Sequence, residues 1–249
     1  MPFTGSHPAA VLPLLRTGLP ASALVAGSLA PDLPFYLPGR PGWPTHGLLG
    51  IVTVDVVLGA AAWALWHGLL AAPARAAAPA GLRRRAPQAA GLRARLPSVR
   101  AVAGVLAGVA VGAATHVGWD EFTHEGRWGE EHVPVLAARW GTWLGYEWTG
   151  SDVAQHVSSL VGAAVLAGWL ARWWRRTPSR PDDLSGTAWA VWGGLLALGA
   201  AAGLTAALRA PGPLQAGFDG ATAGGAAMAA AAGLAAAVWH ARHRAPTDG

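Results

Sequence analysis

An apolar run near the middle of the chain ends in three side chains that can bind a metal ion. His116, Asp120 and His124 follow one another at intervals of four residues. On a continuous helix this spacing places all three on one stripe. An imidazole and a carboxylate one turn apart can present two ligands to zinc or a similar divalent ion from a rigid backbone. The alternative interpretation is an ordinary helix end with polar capping side chains.

Similar side chains recur in other segments that the topology below places on the same face. Asp152 and His156 repeat the interval of four residues at the start of a later apolar helix. Three further histidines and an aspartate stand at helix ends or in loops: His7, Asp32, His46 and His132. Cysteine is absent, which leaves histidine and carboxylates as the metal ligands.

The composition of the chain is that of a membrane protein. Of its 249 residues, 53% are hydrophobic and 12% are charged, and the mean hydropathy is +0.33. Apolar runs of about 20 residues predict transmembrane helices. We therefore predict an all-α, polytopic membrane helix bundle with five spans, at about 47–72, 101–117, 153–174, 187–208 and 217–239.

Residues 8–30 are predicted to form a re-entrant helical hairpin rather than a sixth span. Arg16 and a Gly-Leu-Pro turn interrupt this apolar run, and both are costly at the centre of a bilayer. Two short helices avoid that cost and return His7 and Asp32 to the same side. The proline-rich segment that follows is predicted to be an ordered loop or a linker that ends at His46.

The arginines predict the orientation of the bundle. Residues 73–100 contain seven arginines and no acidic residue, which is typical of a cytoplasmic loop. In residues 119–152, by contrast, most of the charged residues are acidic. The candidate site is therefore predicted on the outer face of a bacterial cell membrane, with the C-terminus in the cytoplasm. Bacterial origin is inferred from the use of arginine for all 18 basic residues, which suggests a GC-rich coding bias. The placement of the arginines argues against a nucleic-acid partner.

The predicted organisation has two parts. Residues 1–176 form the membrane domain that carries the candidate site, and residues 177–249 add two scaffold helices. Within the outer loop, Val133 to Leu144 is predicted to be a short helix in the membrane interface. Asp55 lies deep in the first span, where a functional role and a hydrogen bond to a neighbouring helix both remain open.

Four motifs occur in a fixed order along the first half of the chain. They are Met1-Pro-Phe-Thr-Gly-Ser-His7-Pro-Ala, Gly27-Ser-Leu-Ala-Pro31-Asp32, Thr45-His46-Gly-Leu-Leu-Gly, and Thr115-His116-x-x-Trp-Asp120-x-Phe-Thr-His124-x-Gly126. Together they resemble a bacterial membrane family catalogued as a domain of unknown function. The order of elements is similar to that of predicted membrane-bound metal-dependent hydrolases, over roughly residues 1–165.

The ligand order also resembles, more distantly, that of zinc-dependent phospholipase C and the single-strand nucleases. That resemblance implies five ligands, with Asp120 able to bridge two metals: His7, Asp32, His46, His116 and Asp120. His124 and His156 are candidates for another metal. The chain lacks the N-terminal Trp and the His-x-x-x-Glu pair of those enzymes, which favours one or two ions over three, and the resemblance implies that the metal is zinc.

A metal centre of this kind implies hydrolysis by metal-activated water. Asp32 or Asp120 would accept the proton of the water, and Glu121 or Glu125 would orient the histidines. At the membrane surface, among tryptophans, the expected partners are membrane lipids and the expected substrate is an amphiphilic phosphoester. The alternative is a non-enzymatic integral membrane protein, either an ion- or metal-binding scaffold or a transporter. The oligomeric state is not predicted.

Overall fold

The structure is a computed structural model that describes residues 4–181 and 189–243. Within those residues five helices are long and apolar enough to cross a membrane: Val54–Ala77, Val99–Asp120, Gly150–Arg176, Trp189–Ala207 and Pro213–Arg242. The predicted helix bundle is confirmed, and its architecture is that of a multi-pass membrane protein. Residues 1–3 of the opening motif and residues 187–188 of the fourth predicted span lie outside the described residues.

The N-terminal segment folds as a helical hairpin. A short 3-10 helix, Thr4–Ser6, leads into α1 (Pro8–Val11), which continues as a second 3-10 helix, Leu12–Arg16. The chain then turns at Gly18, where a φ of 84° suits a residue without a Cβ atom. It returns as α2 (Ala21–Leu29). This confirms a break at the Arg16-to-Pro20 interruption.

A third 3-10 helix, Ala30–Tyr36, extends the returning arm. Pro31 and Pro34 supply no backbone N–H, so a regular α-helix cannot continue through this segment. Asp32 lies in its first turn and is almost completely buried. The two prolines thus fix the backbone at the point where a candidate ligand enters the core.

The first span is less regular than predicted. It comprises α3 (Leu48–Val52), α4 (Val54–Leu65), a π-helical turn (Trp66–Leu70) and α5 (Ala71–Ala77). The predicted span over 47–72 is interrupted at Thr53, where φ is −124° and ψ is −92°. Asp55 follows in the first turn of α4.

Two short helices, α6 (Ala80–Arg83) and α7 (Leu92–Arg95), lie in the arginine-rich loop. The second span is α8 (Val99–Asp120), whose first turn is capped by the Ser98 hydroxyl. It runs three residues beyond the predicted end at residue 117. This extra turn keeps His116 and Asp120 on one rigid helix.

The loop between the second and third spans contains two short helices and a β-hairpin. The helices are α9 (Trp128–His132) and α10 (Pro134–Ala137), and the strands are β1 (Arg139–Trp143) and β2 (Tyr146–Thr149). The predicted helix from Val133 to Leu144 was therefore wrong beyond Ala137. Trp143 pairs with Tyr146 across a two-residue turn, in which Leu144 and Gly145 both have positive φ. Such a turn matches the twist of paired strands.

The remaining spans are α11 (Gly150–Arg176), α12 (Trp189–Ala207) and α13 (Pro213–Arg242). Helices α12 and α13 pack through glycines. A Cβ atom added at Gly203 would lie 2.7 Å from the carbonyl oxygen of Gly220, and one at Gly224 would lie 2.8 Å from that of Gly199. Small residues allow this close approach of membrane helices.

The described chain separates into two compact units. One contains the residues up to Trp63 together with Ser98–Trp173, and the other contains Ala64–Pro97 and the residues from Trp174 onward. Every predicted metal ligand falls in the first unit. The division predicted at residue 176, with a scaffold role for residues 177–249, stays a prediction.

In the first unit, α2 lies directly against α8. A Cβ atom at Gly27 would overlap the backbone of Val109, and one at Gly112 would overlap the backbone of Leu24. The two backbones can approach this closely only because both positions are glycine. Their contact positions Ser28 beside the end of α8 that carries His116 and Asp120.

Candidate metal centre

Six of the seven predicted ligands converge at one end of the first unit. They come from four segments: His7 before α1, Asp32 in the 3-10 helix after α2, His46 in the loop before α3, and His116, Asp120 and His124 at or beyond the end of α8. Two groups among them have ligand atoms within 4.8 Å of one another and could hold a metal ion. These groups are His7, His116 and Asp120, and Asp32, His46 and His116.

Four distances between histidine nitrogens and aspartate oxygens at this site are nearly equal. His46 Nε2 lies 3.2 Å from Asp32 Oδ1 and 3.5 Å from Asp120 Oδ2. His116 Nε2 lies 3.6 Å from the same Asp32 oxygen and 3.2 Å from the same Asp120 oxygen. Ligand atoms about 2.0–2.1 Å from a tetrahedral zinc ion lie about 3.4 Å apart. Each of these four histidine–aspartate distances therefore fits two ligands of the same zinc ion.

The other oxygen of Asp120 faces a second pair of histidines. Asp120 Oδ1 lies 3.8 Å from His7 Nε2 and 3.6 Å from His124 Nδ1. The imidazole rings of His7 and His116 are stacked, with centroids 3.6 Å apart. Asp120 thus has one pair of histidines beside each carboxylate oxygen, as a carboxylate that bridges two cations requires.

Several buried polar atoms at the site lack a conventional partner. Among the described residues, His7 Nε2, His116 Nε2 and Asp120 Oδ1 have no hydrogen-bond partner. Leaving a buried polar atom unsatisfied costs about 1–3 kcal/mol, and more when the group is charged. These three atoms face one another, so a single kind of ligand, a cation, would satisfy all of them.

Hydroxyl and carbonyl groups that the sequence reasoning missed fix the orientation of the candidate ligands. The Thr4 hydroxyl donates to Asp32 Oδ2 at 2.6 Å and accepts from the Tyr36 hydroxyl at 3.2 Å. His116 Nδ1 donates to the Ser28 carbonyl at 2.8 Å, which leaves the lone pair of Nε2 free to bind a metal. Thr4 lies in the same sequence motif as His7, and Ser28 lies in the same motif as Asp32. Their positions beside candidate ligands in the sequence could have indicated this role.

The backbone of His46 is held in an uncommon conformation. Its φ is +59°, a left-handed value that few residues other than glycine adopt. Arg127 donates to the His46 carbonyl at 2.7 Å and to Glu121 Oε1 at 3.3 Å. Thr45 Oγ1 lies 2.9 Å from the other ring nitrogen of His46. The loop therefore aims this imidazole at the two aspartates.

Glu121, expected to orient a histidine ring, instead contacts the loop that follows α8. Besides Arg127, its carboxylate accepts from the backbone N–H of Trp128 at 3.1 Å. The chain leaves α8 at this residue, so the carboxylate turns toward the loop while Asp120 faces the core. Glu121 influences the centre indirectly, through Arg127 and the His46 carbonyl.

The surroundings keep His7 neutral and Asp32 ionised. Burial, followed by the neighbouring His116, lowers the pKa of His7 from 6.5 to about 4. Burial alone would raise the pKa of Asp32, but a hydrogen bond to His46, the nearby His116 and the Thr4 hydroxyl lower it overall. Burial also lowers the pKa of His124. At neutral pH these three side chains are in the forms that bind metals.

His156 is not brought into the group. It is exposed, its Nδ1 lies 2.8 Å from the Asp152 carbonyl one turn earlier, and its ring contacts Trp148. Asp152 meanwhile accepts from the backbone N–H and the hydroxyl of Thr149. The structure thus gives Asp152 and His156 roles in packing the β-hairpin onto α11.

Asp55 is completely buried in α4, and neither of its carboxylate oxygens has a hydrogen-bond partner among the described residues. The hydrogen bond to a neighbouring helix that the sequence left open is therefore not formed. Ile51, one turn earlier on α3, packs against Ala113 and Val117 of α8. Asp55 itself is close enough to His46 and His116 to interact with them electrostatically, which places it near the candidate centre.

The fold and this site define a multi-pass helical membrane protein with a buried cluster of histidines and aspartates. Residues 1–241 match the family described as a domain of unknown function, DUF4184, and the chain belongs to that family. The resemblance to a membrane family of unknown function is thereby confirmed. No curated protein and no solved structure is similar to the chain.

Proposed function

We propose that this protein is a membrane-bound metallohydrolase whose centre holds one or two divalent ions, preferably zinc. The observation that carries the proposal is the arrangement of His46, His116, Asp32 and Asp120, whose facing donor atoms lie 3.2–3.6 Å apart. A hydrogen bond alone would account for the 3.2 Å distance between His46 Nε2 and Asp32 Oδ1. It does not account for the unpartnered nitrogens of His7 and His116.

Asp32, His46 and His116 would hold a first ion, and Asp120 Oδ1 would hold a second together with His7, with His124 nearby. The two oxygens of Asp120 face different histidine pairs, which supports a bridging role. Zinc is preferred because imidazole nitrogens and carboxylate oxygens suit it, and the chain offers no thiolate. A zinc ion held by three protein ligands would keep a coordination position for water.

The proposed reaction needs no side-chain nucleophile. A bound divalent ion would supply water activated near neutral pH, and Asp32 or Asp120 would accept its proton. In the hydrolysis the water oxygen would join phosphorus as the bond to the leaving oxygen breaks, and the same aspartate would return the proton to that leaving oxygen. Glu121 supports this chemistry by holding Arg127 against the loop that carries His46.

The substrate we propose is an amphiphilic phosphoester. Large aromatic side chains remain exposed around the end of the unit that carries the site, including Trp119, Trp128 and Trp140. Tryptophan favours the level of the lipid headgroups, so this end would lie at the membrane surface. A phosphoester within a lipid headgroup would reach the ions without leaving the membrane.

A second candidate function is ion or proton handling without catalysis. The observation that favours it is Asp55, a buried carboxylate in a membrane span with no hydrogen-bond partner among the described residues. In that case the metal centre would be structural, and Asp55 would carry the function.

Metal content measured by mass spectrometry tests the proposal first. Protein purified in detergent should contain one or two equivalents of zinc or another divalent metal. The nearly isosteric Asp120→Asn should lose most of it, while the matched histidine control His156→Gln should keep it. Folding is checked by circular dichroism. A wild-type protein free of metal after growth in zinc-supplemented medium would contradict the metal centre.

Activity is then measured with a chromogenic phosphodiester and with a short-chain phosphatidylcholine in micelles. The wild-type protein should hydrolyse one of them, with the activity abolished by a chelator and in Asp120→Asn. Loaded wild-type protein that hydrolyses neither would favour the non-enzymatic alternative. A comparison with Asp55→Asn in ion-flux assays would then decide between a transporter and a scaffold.

A further inference from the structure

The β-hairpin between the second and third spans carries apolar side chains at its tip that remain about 40–60% exposed. Leu144 at the turn is 64% exposed, Trp140 is 53% exposed, and Trp143 and Tyr146 are also exposed. Arg139 at the base of β1 forms an ion pair at 2.9 Å with Glu147, which pairs with Thr142 beside the turn. The last pair before the turn, Trp143 and Tyr146, and Leu144 in the turn itself are uncharged at neutral pH.

The hairpin is fixed by contacts between its own strands and by contacts with α11. The Trp143 and Trp148 rings are stacked at 4.9 Å, and the Trp148 indole N–H donates to the Trp143 carbonyl at 3.1 Å. Trp148 in turn contacts His156 on α11. Tyr146 donates to Asp152 in the first turn of the same helix. These contacts fix the direction in which the tip points.

The hairpin is also close to the lipid phase by its connection. Strand β2 ends at Thr149, and the membrane span α11 begins at the next residue, Gly150. A strand advances about 3.3 Å per residue, so the turn lies within about 20 Å of the start of that span. The apolar tip is therefore within reach of the bilayer that α11 enters.

We propose that residues 140–146 form a membrane-interface anchor, with Trp140, Trp143 and Leu144 in contact with lipid at the boundary between headgroups and acyl chains. Tryptophan and tyrosine favour that depth, and an exposed leucine at a turn gains by leaving water. The partner is thus the lipid surface itself.

The other side of the hairpin would stay in water. It lines an open cavity of about 610 Å³ whose wall includes Glu125, Glu130, Glu131, Arg139, Tyr146 and Glu147. Glu125 directly follows His124 in the chain. With the tip anchored, the bilayer surface would border this cavity beside the candidate metal centre. The relevance of that position to catalysis rests on the proposed function. The anchor itself does not rest on it.

Spin labelling tests the anchor without using metal or activity. The chain has no cysteine, so single substitutions carry unique labels. Leu144→Cys and Thr142→Cys report on the tip, Leu160→Cys on the exposed apolar face of α11, and Glu131→Cys on the polar loop. Each full-length variant is reconstituted in phosphatidylcholine vesicles, and collisions with oxygen and with a water-soluble nickel complex are measured.

At residue 144 the ratio of oxygen collisions to nickel collisions should be several-fold higher than at residue 131. The ratio at residue 160 should also be higher than at residue 131. A label at residue 144 that behaves like the one at residue 131 would overturn the anchor. A label shielded from both reagents would also overturn it, because the tip would then be covered by protein, such as a second copy of the chain. Thr142→Cys provides the same decision if Leu144→Cys folds poorly.

Discussion

Single hydroxyl groups shape the candidate centre as much as its histidines do. Thr4 holds one oxygen of Asp32, which leaves the other oxygen to face His46 and His116. Groups that orient metal ligands in this way typically contribute a factor of about 10–100 in metal affinity. The residues around the ligands are therefore as testable as the ligands themselves.

Thr4→Val should weaken metal binding by about 10–100-fold while the protein stays folded, because the substitution removes the hydrogen bond and little volume. The measurement is zinc affinity by competition with a chelator. Thr17→Val is the matched control, since the Thr17 hydroxyl also makes one hydrogen bond, to the Leu14 carbonyl, but at an exposed turn away from the ligands. Equal affinities of the two variants would contradict a role for Thr4 at the centre.

At the scale of elements, the centre depends on how closely α2 lies against α8. Ser28 reaches His116 only because Gly27 and Gly112 let the two backbones touch. A methyl group at either glycine would push the helices apart. Overpacking of this kind typically costs about 1–3 kcal/mol, and here it would also move a hydrogen bond to a candidate ligand.

Gly112→Ala should therefore lower both the thermal stability and the metal content of the purified protein. An added Cβ atom would lie 2.8 Å from the Ser28 nitrogen and 3.0 Å from Gly27 Cα, besides overlapping Leu24. Gly118→Ala is the matched control on the same helix, where an added Cβ atom meets nothing within 4 Å. If Gly112→Ala matched this control in melting temperature and zinc content, the contact would not position the centre.

The transmembrane helices could be predicted from the sequence because each is a long apolar run. The local backbone geometry of the loops could not be predicted. The spans follow from the length of apolar runs, and the charge change after α8 marked the loop that contains the hairpin. The turn at Leu144-Gly145 was missed because leucine is an unusual residue at positive φ. The tryptophans around it were instead interpreted as one face of a helix.

The candidate ligands were predictable for a different reason. Histidines and aspartates at the ends of several apolar runs must meet if those ends share one face, so the order of the motifs already indicated a cluster. Spacing alone could not separate His124 from His156, since each lies four residues from an aspartate. The structure separates them because Asp120 faces the core, whereas Asp152 caps the turn before α11.

At the scale of the whole molecule, the buried centre links folding to pH. The pKa of His7 is about 4 in the folded protein and 6.5 when the side chain is free in water. Between these values the unfolded chain binds the proton and the folded one does not, so stability rises with pH. Since one pKa unit corresponds to about 1.4 kcal/mol, His7 alone accounts for about 3 kcal/mol over this range.

Metal-free protein should therefore be most stable above pH 6.5 and lose stability as the pH falls toward 4. The measurement is the unfolding temperature in detergent with a chelator present, across this pH range. His7→Asn, which cannot take up the proton, should show a flatter profile, and His132→Asn, at an exposed position, should follow the wild type.

Added zinc should stabilise the wild type most near neutral pH, because metal and proton compete for the same nitrogen lone pairs. A wild-type profile as flat as that of His7→Asn would show that His7 is already protonated or exposed, and the second ion would then lose one of its proposed ligands.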